Sequence, residues 1–238
     1  MNIAIIGYGR MGHEIESAAL ARGHAVKLIV DKDNMNDLNE RSTRDIDVAI
    51  EFTTPETACD NVVKCLRMKI PVVSGTTGWL NDYDKAVDAC NENRTSFIHS
   101  TNFSIGVNIL FRLNRELAEQ MARLEQYKPF IEEIHHTKKL DAPSGTAITL
   151  AQGIAAGHIG YDGWCPDDRN EPGKVPVKAI REGMVPGTHT ITWNSDIDVI
   201  SLRHEARNRK GLALGAVIAA EYIYNRTGVF TMDQVLGF

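Results

Sequence analysis

The sequence predicts an α/β fold, a doubly wound parallel sheet joined to a smaller α+β domain with an open mixed or antiparallel sheet. Three observations lead there. Short apolar strands alternate with helical patterns through the first hundred residues. A glycine-rich turn, "GYGRMG", separates the first strand from the first helix. Beyond residue 175 the apolar positions switch to a period of two. Strands separated by helices of ten or so residues imply βαβ units, and period-two runs imply sheets with one open face.

Each element has its own signal. "MNIAIIG" is an apolar run ending on glycine, as a buried parallel strand requires. "HEIESAALARG" carries apolar residues at helical spacing and stops at Gly23. "AVKLIVD" and "DVAIEFT" read as strands, and "TACDNVVKCLRMK" after Pro55 as a helix. "IPVVSG" is the fourth strand, "NDYDKAVDACNEN" a helix and "TSFIHS" the fifth strand. Residues 32 to 46 are too polar for a full helix and strand, so one βα unit is trimmed there. In the second half, "FIEEIHH" reads as a strand and "GTAITLAQGIAAG" as a helix, followed by a polar, proline-rich loop over 160 to 176. "VPVKAIREG", "GTHTITWNS" and "DIDVISLRHEA" alternate and are predicted as antiparallel strands. "KGLALGAVIAAEYIYN" reads as an amphipathic helix that returns to the first domain. The expected domains are 1–104 with 211–238, and 105–210, whose open sheet face is a candidate for oligomer contact.

Bulk properties exclude several classes. Of 238 residues, 43% are hydrophobic and 24% charged, which suits a globular chain with a sizeable core. A net charge of −5 argues against a nucleic-acid partner. No apolar run reaches membrane-spanning length, and the N-terminus lacks the cationic lead of a signal peptide. Cys59, Cys65, Cys90 and Cys165 form no C-x-x-C pair, which points to reduced thiols in a cytoplasmic protein and to no metal.

The glycine-rich turn is G-x-G-x-x-G between a strand and a helix, the context that makes a Rossmann-like reading specific. Gly7 permits the tight turn, Gly9 lets backbone approach a pyrophosphate, and Gly12 allows close packing of helix on strand. Asp31 ends the second strand nineteen residues after Gly12, where a carboxylate meets an adenosine ribose. Asp31 favours NAD, whereas Lys32 can neutralise the 2′-phosphate of NADP. The expected cofactor is therefore NADH, NADPH or both. "SGTTGW" and "HSTNFS" lie at carboxyl ends of strands, the edge along which open α/β sheets bind ligands.

The stretch "EIHHTKKLDAPSGTA", 133 to 147, carries the second chemical signal. On a strand, His135 and His136 point to opposite sides. Ser144 is a good N-cap, and the N–H groups of Gly145 and Thr146 at the helix start attract an anion. A lysine nearby adds a second anion contact. Together they suit a small substrate bearing carboxylates, with a histidine as proton donor near neutral pH.

"EEIHHTKKLDAPSGTA" resembles the signature of the 4-hydroxy-tetrahydrodipicolinate (dihydrodipicolinate) reductase family of lysine and diaminopimelate biosynthesis. The resemblance extends in order to "GYGRMG", "EFTTPE", "VSGTTGW", "STNFSIGVN" and "GVFTMDQVLG". It implies NAD(P)H-dependent reduction of (2S,4S)-4-hydroxy-2,3,4,5-tetrahydrodipicolinate to (S)-2,3,4,5-tetrahydrodipicolinate. It implies that His135 and Lys139 are catalytic and that His136, Gly145 and Thr146 bind substrate, at the helix start whose N-cap, Ser144, is expected to bind it too. It also implies cofactor roles for Gly7, Tyr8, Gly9, Arg10, Met11, Gly12, Asp31, Gly75, Thr76, Thr77, Ser100, Thr101, Asn102 and Phe103, while Lys32 stands where many relatives place arginine. The family's typical assembly implies a homotetramer built through the second domain's sheet. Two other readings stand beside it: another small-carboxylate dehydrogenase of two-domain build, and a non-catalytic NAD(H)-binding regulator.

Overall fold

A computed structural model describes residues 1–169 and 171–238, in two compact units. Unit 1 comprises Met1–Ile105 and Arg209–Phe238, and unit 2 comprises Gly106–Asn208.

Unit 1 is built on the strands β1 (Asn2–Ile6), β2 (Ala25–Val30), β3 (Val48–Glu51), β4 (Val72–Ser74) and β5 (Ser96–His99), with β11 (Gly228–Phe230) from the far end of the sequence. They form one six-stranded sheet in the order β11-β5-β4-β3-β1-β2. Every pairing is parallel. All carboxyl ends therefore lie along one edge. The apolar strands are buried because helices cover both faces. α1 (Arg10–Ala21) and α6 (Lys210–Ile223) share one core with Ile3, Ile5, Ile50 and Ile98. α2 (Pro55–Arg67) and α3 (Tyr83–Asn93) share the other with Ile6, Ala49, Val72 and Phe97. Full burial of an isoleucine or leucine contributes on the order of 1.5–3 kcal/mol, so these two layers hold the sheet. Between β2 and β3 only a short 3₁₀ turn, Met35–Asp37, interrupts the turns and bends, in line with the trimmed unit read from the sequence.

Unit 2 contains α4 (Ile105–Met121), β6 (Lys128–His135), α5 (Gly145–Gly157), β7 (Trp164–Pro166), β8 (Val175–Arg181), β9 (Thr188–Asn194) and β10 (Val199–Glu205). α4 begins on the last residue of unit 1. Its five strands run in the order β10-β9-β6-β8-β7. Leu110, Ala118 and Met121 of α4 and Leu150, Ala151 and Ile154 of α5 pack with Ile131, Val177, Ile191 and Trp193 of the sheet. β10 is largely exposed, with Val199 and Ile200 among its open residues.

Four details differ from the sequence reading. β8 pairs parallel to β6, not antiparallel, since alternation fixes which face a side chain takes but not strand direction. The loop over 160–176 holds the short strand β7, parallel to β8; Asn170 of that loop lies outside the described residues. α4 and β11 had no assignment, although "IGVNILFRLNRELAEQM" has apolar residues at helical spacing. α6 is not amphipathic: Ala213, Gly215, Ala216, Val217, Ala219, Ala220 and Ile223 are buried around most of its circumference. Its small side chains let it approach closely, and a Cβ on Gly215 would overlap the Phe103 carbonyl. Among the described residues, no helix is long and apolar enough to cross a membrane.

Candidate active site

The parallel sheet of unit 1 brings five loops to one edge. The first is the turn after β1. Gly7 takes φ +91° and leaves no room for a Cβ, which would overlap the Phe52 carbonyl. Gly12 packs against Gly7 in the same way. Gly9, the N-cap of α1, has nothing within 4 Å of a Cβ position, no capping side chain and no acidic residue in the following turn. Open space before an uncapped helix start is a cradle for phosphate. Asp31 follows β2, half-buried, with its backbone N–H held by Asn34 Oδ1 at 2.7 Å, and Lys32 is exposed beside it. These features fit a nicotinamide dinucleotide.

A buried carboxylate fastens two of the other loops. Glu51, at the end of β3, is 0% exposed. It accepts from Thr53 N (2.8 Å), Thr53 Oγ1 (2.5 Å), Ser74 Oγ (2.6 Å) and Thr76 Oγ1 (2.6 Å). Thr53 N also donates to Thr76 Oγ1 at 2.7 Å. The Thr76 carbonyl accepts from Trp79 Nε1 (2.8 Å) and lies 3.0 Å from His99 Nε2. Burial lowers the His99 pKa, so its imidazole is neutral. Thr76 thus spends its side chain and carbonyl inside the loop. Gly75 is required because a Cβ there would sit within the Phe52 ring. The last loop, 100–103, is closed by Ser100 Oγ donating to Asn102 O at 2.8 Å, with the Phe103 ring buried in the core. Thr77 is exposed, and Thr101 and Asn102 are half-buried. Tyr8 donates its hydroxyl to Glu16 and stacks near His13, Arg10 is exposed and Met11 packs on the core.

In unit 2, β6 alternates so that Ile131, Glu133 and His135 all face inward. Register then decides what they meet. Glu133 lies opposite His189 on β9, and His135 opposite Arg181 on β8. Glu133 is 0% exposed. Its Oε1 accepts from Ser144 N at 2.9 Å and Arg181 Nη2 at 3.1 Å. Its Oε2 stands 3.1 Å from His135 Nδ1 and 3.7 Å from His189 Nε2. Burial opposes ionisation of Glu133, but hydrogen bonds from His135, His189 and Ser144 outweigh it and hold the carboxyl far below the usual range. Burial pushes the His189 imidazole below its usual pKa, partly offset by Glu133.

His135 is buried on the strand's last residue, while His136 lies one residue beyond β6 and is half-buried, its N–H donating to Val185 O at 2.8 Å. The alternation of buried and half-buried residues along β6 continues through His136. Lys139 pairs with Asp141 at 2.8 Å, so an incoming carboxylate must compete with that partner. Ser144 caps α5 as expected, accepting from Ala147 N at 3.2 Å. Gly145 has open space at its Cβ position, and Thr146 is buried.

Glu51, Glu133, Arg181 and His189 were missed from the sequence. Glu133 left one signal, an acid two residues before His135 on the apolar side of an alternating strand. Glu133, His135 and His189 also place three ligand-type atoms within 4.8 Å of one another. The guanidinium and Ser144 N–H on Glu133 favour a hydrogen-bonded cluster over a cation. The four cysteines are free, and burial pushes the Cys65 thiol up to about 12, which removes it as a nucleophile.

A parallel sheet with an open, uncapped helix start at its first turn, next in sequence to a unit holding a buried histidine–carboxylate cluster, fits a nicotinamide-dependent oxidoreductase. Residues 1–103 match the model described as dihydrodipicolinate reductase, N-terminus, and residues 106–236 that described as dihydrodipicolinate reductase, C-terminus. The 4-hydroxy-tetrahydrodipicolinate reductase of Christiangramia forsetii is 52% identical over 237 residues, covering 99% of this chain and 98% of that one. The enzyme of the same name from Alkaliphilus metalliredigens is 34% identical, covering 96% and 95%. The dipicolinate-bound dihydrodipicolinate reductase of Paenisporosarcina sp. TG-14 shares the fold, with a TM-score of 0.78, 22% identity and 97% of each chain covered. The chain belongs to the dihydrodipicolinate reductase family.

Proposed function

We propose that the chain reduces (2S,4S)-4-hydroxy-2,3,4,5-tetrahydrodipicolinate, or its dehydrated dihydro form, to (S)-2,3,4,5-tetrahydrodipicolinate in lysine and diaminopimelate biosynthesis. The observation that carries it is the full-length identity of 52% to a reductase of that name. Residues 1–104 with 211–238 take the dinucleotide, and residues 105–210 take the substrate. Either NADH or NADPH, when bound, supplies hydride to C4 of the unsaturated ring.

The chain's own residues do the rest. Gly7 to Gly12 hold the pyrophosphate and Asp31 the adenosine ribose, with Lys32 beside it. Gly75 to Thr77 and Ser100 to Phe103 take the nicotinamide end. For Phe103 backbone groups serve, since its ring is spent on the core, and for Thr76 the backbone N–H serves, since its hydroxyl is spent on Glu51 and its carbonyl on Trp79 and His99. One substrate carboxylate sits on the Ser144–Thr146 helix start, with Lys139 and His136 completing its site. His135 donates the proton to C3, assisted by Lys139. Orientation and charge are the protein's contribution to the rate.

The enzyme acts in the cytoplasm as a homotetramer assembled through the exposed sheet face of unit 2, which includes Val199 and Ile200. Loss of NADH absorbance with the freshly generated intermediate as sole substrate tests the activity. Silence there, with turnover of another imino or amino dicarboxylate, sinks the assignment. Sedimentation equilibrium showing a stable monomer at micromolar concentration sinks the assembly.

A further inference from the structure

We infer that Glu133 is the positioning residue for proton transfer: its carboxylate fixes the His135 ring with Nδ1 inward and ties that ring to the start of α5. The inference rests on the reading of His135 as the proton donor, and nothing in the family signature assigns Glu133 a role.

A fully buried carboxylate persists only if its oxygens are paired. Oε1 is already taken by Ser144 N and Arg181 Nη2. Oε2 and His135 Nδ1 have no other hydrogen-bond partner among the described residues, and they stand 3.1 Å apart, in an oblique approach. His189 Nε2 lies farther from the same oxygen, at 3.7 Å, so His135 Nδ1 is the nearer of the two ring nitrogens that face Oε2. A carboxylate accepts only, so Nδ1 is the protonated nitrogen of the neutral ring and Nε2 is the working one. The charged and titratable groups around Glu133 are His135 on its own strand, Arg181 from β8 and His189 from β9, with the Ser144 N–H from the start of α5. Gly187 keeps the outer side of the ring clear, since a Cβ there would come within 3.0 Å of His135 Nε2.

The proton balance follows. The protonated ring gives the Nε2 proton to substrate C3 and keeps the Nδ1 proton toward Glu133, which stays ionised throughout. The neutral product ring is then the tautomer that re-protonates at Nε2 from solvent. Ser144 N shares the same carboxylate, so the ring and the anion-binding helix start move as one body.

Two measurements on the full-length enzyme test this. Side-chain ¹⁵N shifts of neutral wild-type His135 are expected to show the Nδ1–H form; the Nε2–H form overturns the inference even if variants misfold. Glu133→Gln is expected to lower kcat by about 10–100-fold, a loss of the size seen when the carboxylate partner of a metal-bound histidine is removed. It should leave KM within a few-fold, move the alkaline limb of the kcat profile to lower pH and leave NADH affinity unchanged. In a His135→Ala background it should add little. Unchanged kcat and profile in Glu133→Gln, or an undiminished further loss in the double variant, overturns it. So does wild-type activity that EDTA abolishes and Zn²⁺ restores, which makes the cluster a metal centre. Wild-type kcat in His135→Ala sinks the proton-donor reading itself. A loss in His135→Ala with none in Glu133→Gln sinks only the positioning role.

Discussion

Thr76 Oγ1 donates to Glu51 Oε1 at 2.6 Å, joining the end of β3 to the loop after β4 through the protein interior. The same oxygen of Glu51 holds the Thr53 backbone, so one carboxylate shapes two loops of the cofactor edge. Glu51→Gln puts an amide donor against at least one hydroxyl. We expect NADH affinity to fall about tenfold, with substrate KM less affected, and a stability loss of about 1–3 kcal/mol for a disturbed buried network. Fluorescence titration of NADH and urea unfolding measure the two. Wild-type affinity in a folded variant would show that the loops hold their shape without Glu51.

In the proposed reading Asp31 and Lys32 flank the adenosine ribose and pull in opposite directions on a 2′-phosphate. Both NADH and NADPH should support turnover, within roughly one to two orders of magnitude of each other, since such charge contacts at the surface are each worth little. Steady-state rates with both cofactors in wild type and Lys32→Ala decide the point. If Lys32→Ala leaves NADPH binding untouched, the lysine has no part in choosing.

Removal of His135, Lys139 and His136 should fail in three different ways. His135→Ala should lower kcat by about 10²–10⁴ with a smaller change in KM, as loss of a general acid does. Lys139→Ala should damage both, because it removes a charge from ground and transition states alike. His136→Ala should act mainly on KM. None should alter NADH affinity, because all three belong to unit 2. An unchanged pH profile and kcat in His135→Ala would place the proton source at Lys139 or in solvent.

Acid should destabilise unit 2 in two stages. Burial lowers the His189 pKa, so the unfolded chain binds that proton more readily, and stability falls as pH drops below the unfolded histidine value of about 6.5. Glu133 is also depressed, so its contribution is present above the unfolded glutamate value of about 4.3 and is lost progressively below it. Melting temperatures from pH 8 to pH 3 should show both slopes, with the lower one flattened in Glu133→Gln. An unaltered lower slope would assign it to other carboxylates.

How much could be read beforehand follows from the kind of information each feature needs. β1, β3, β4 and β5 were legible because burial on both faces writes them as continuous apolar runs, whereas the short edge strand β11 was not. The turn at Gly7 to Gly12 was legible because its glycines answer local constraints, φ +91° at Gly7 and contact with Gly7 at Gly12. The direction of β8 was not, because alternation is identical in parallel and antiparallel strands. Nor was the company Glu133 keeps, since a register across β6, β8 and β9 sets it. Glu51 stayed hidden for a related reason: its donors come from positions 53, 74 and 76, which only the sheet order makes neighbours.

Unit 1 is written in two instalments. Its first 105 residues supply five strands, but α6, whose buried small residues share one layer of its core with α1, and the edge strand β11 come only after residue 208. Unit 2 is a single uninterrupted segment. On the ribosome, order of emergence and order of completion are therefore reversed: the segment that appears second is the first whose parts are all present. Until α6 arrives, Ile3, Ile5, Ile50 and Ile98 have lost one of their two covering helices, leaving a sticky half-finished sheet for chaperones to guard during synthesis.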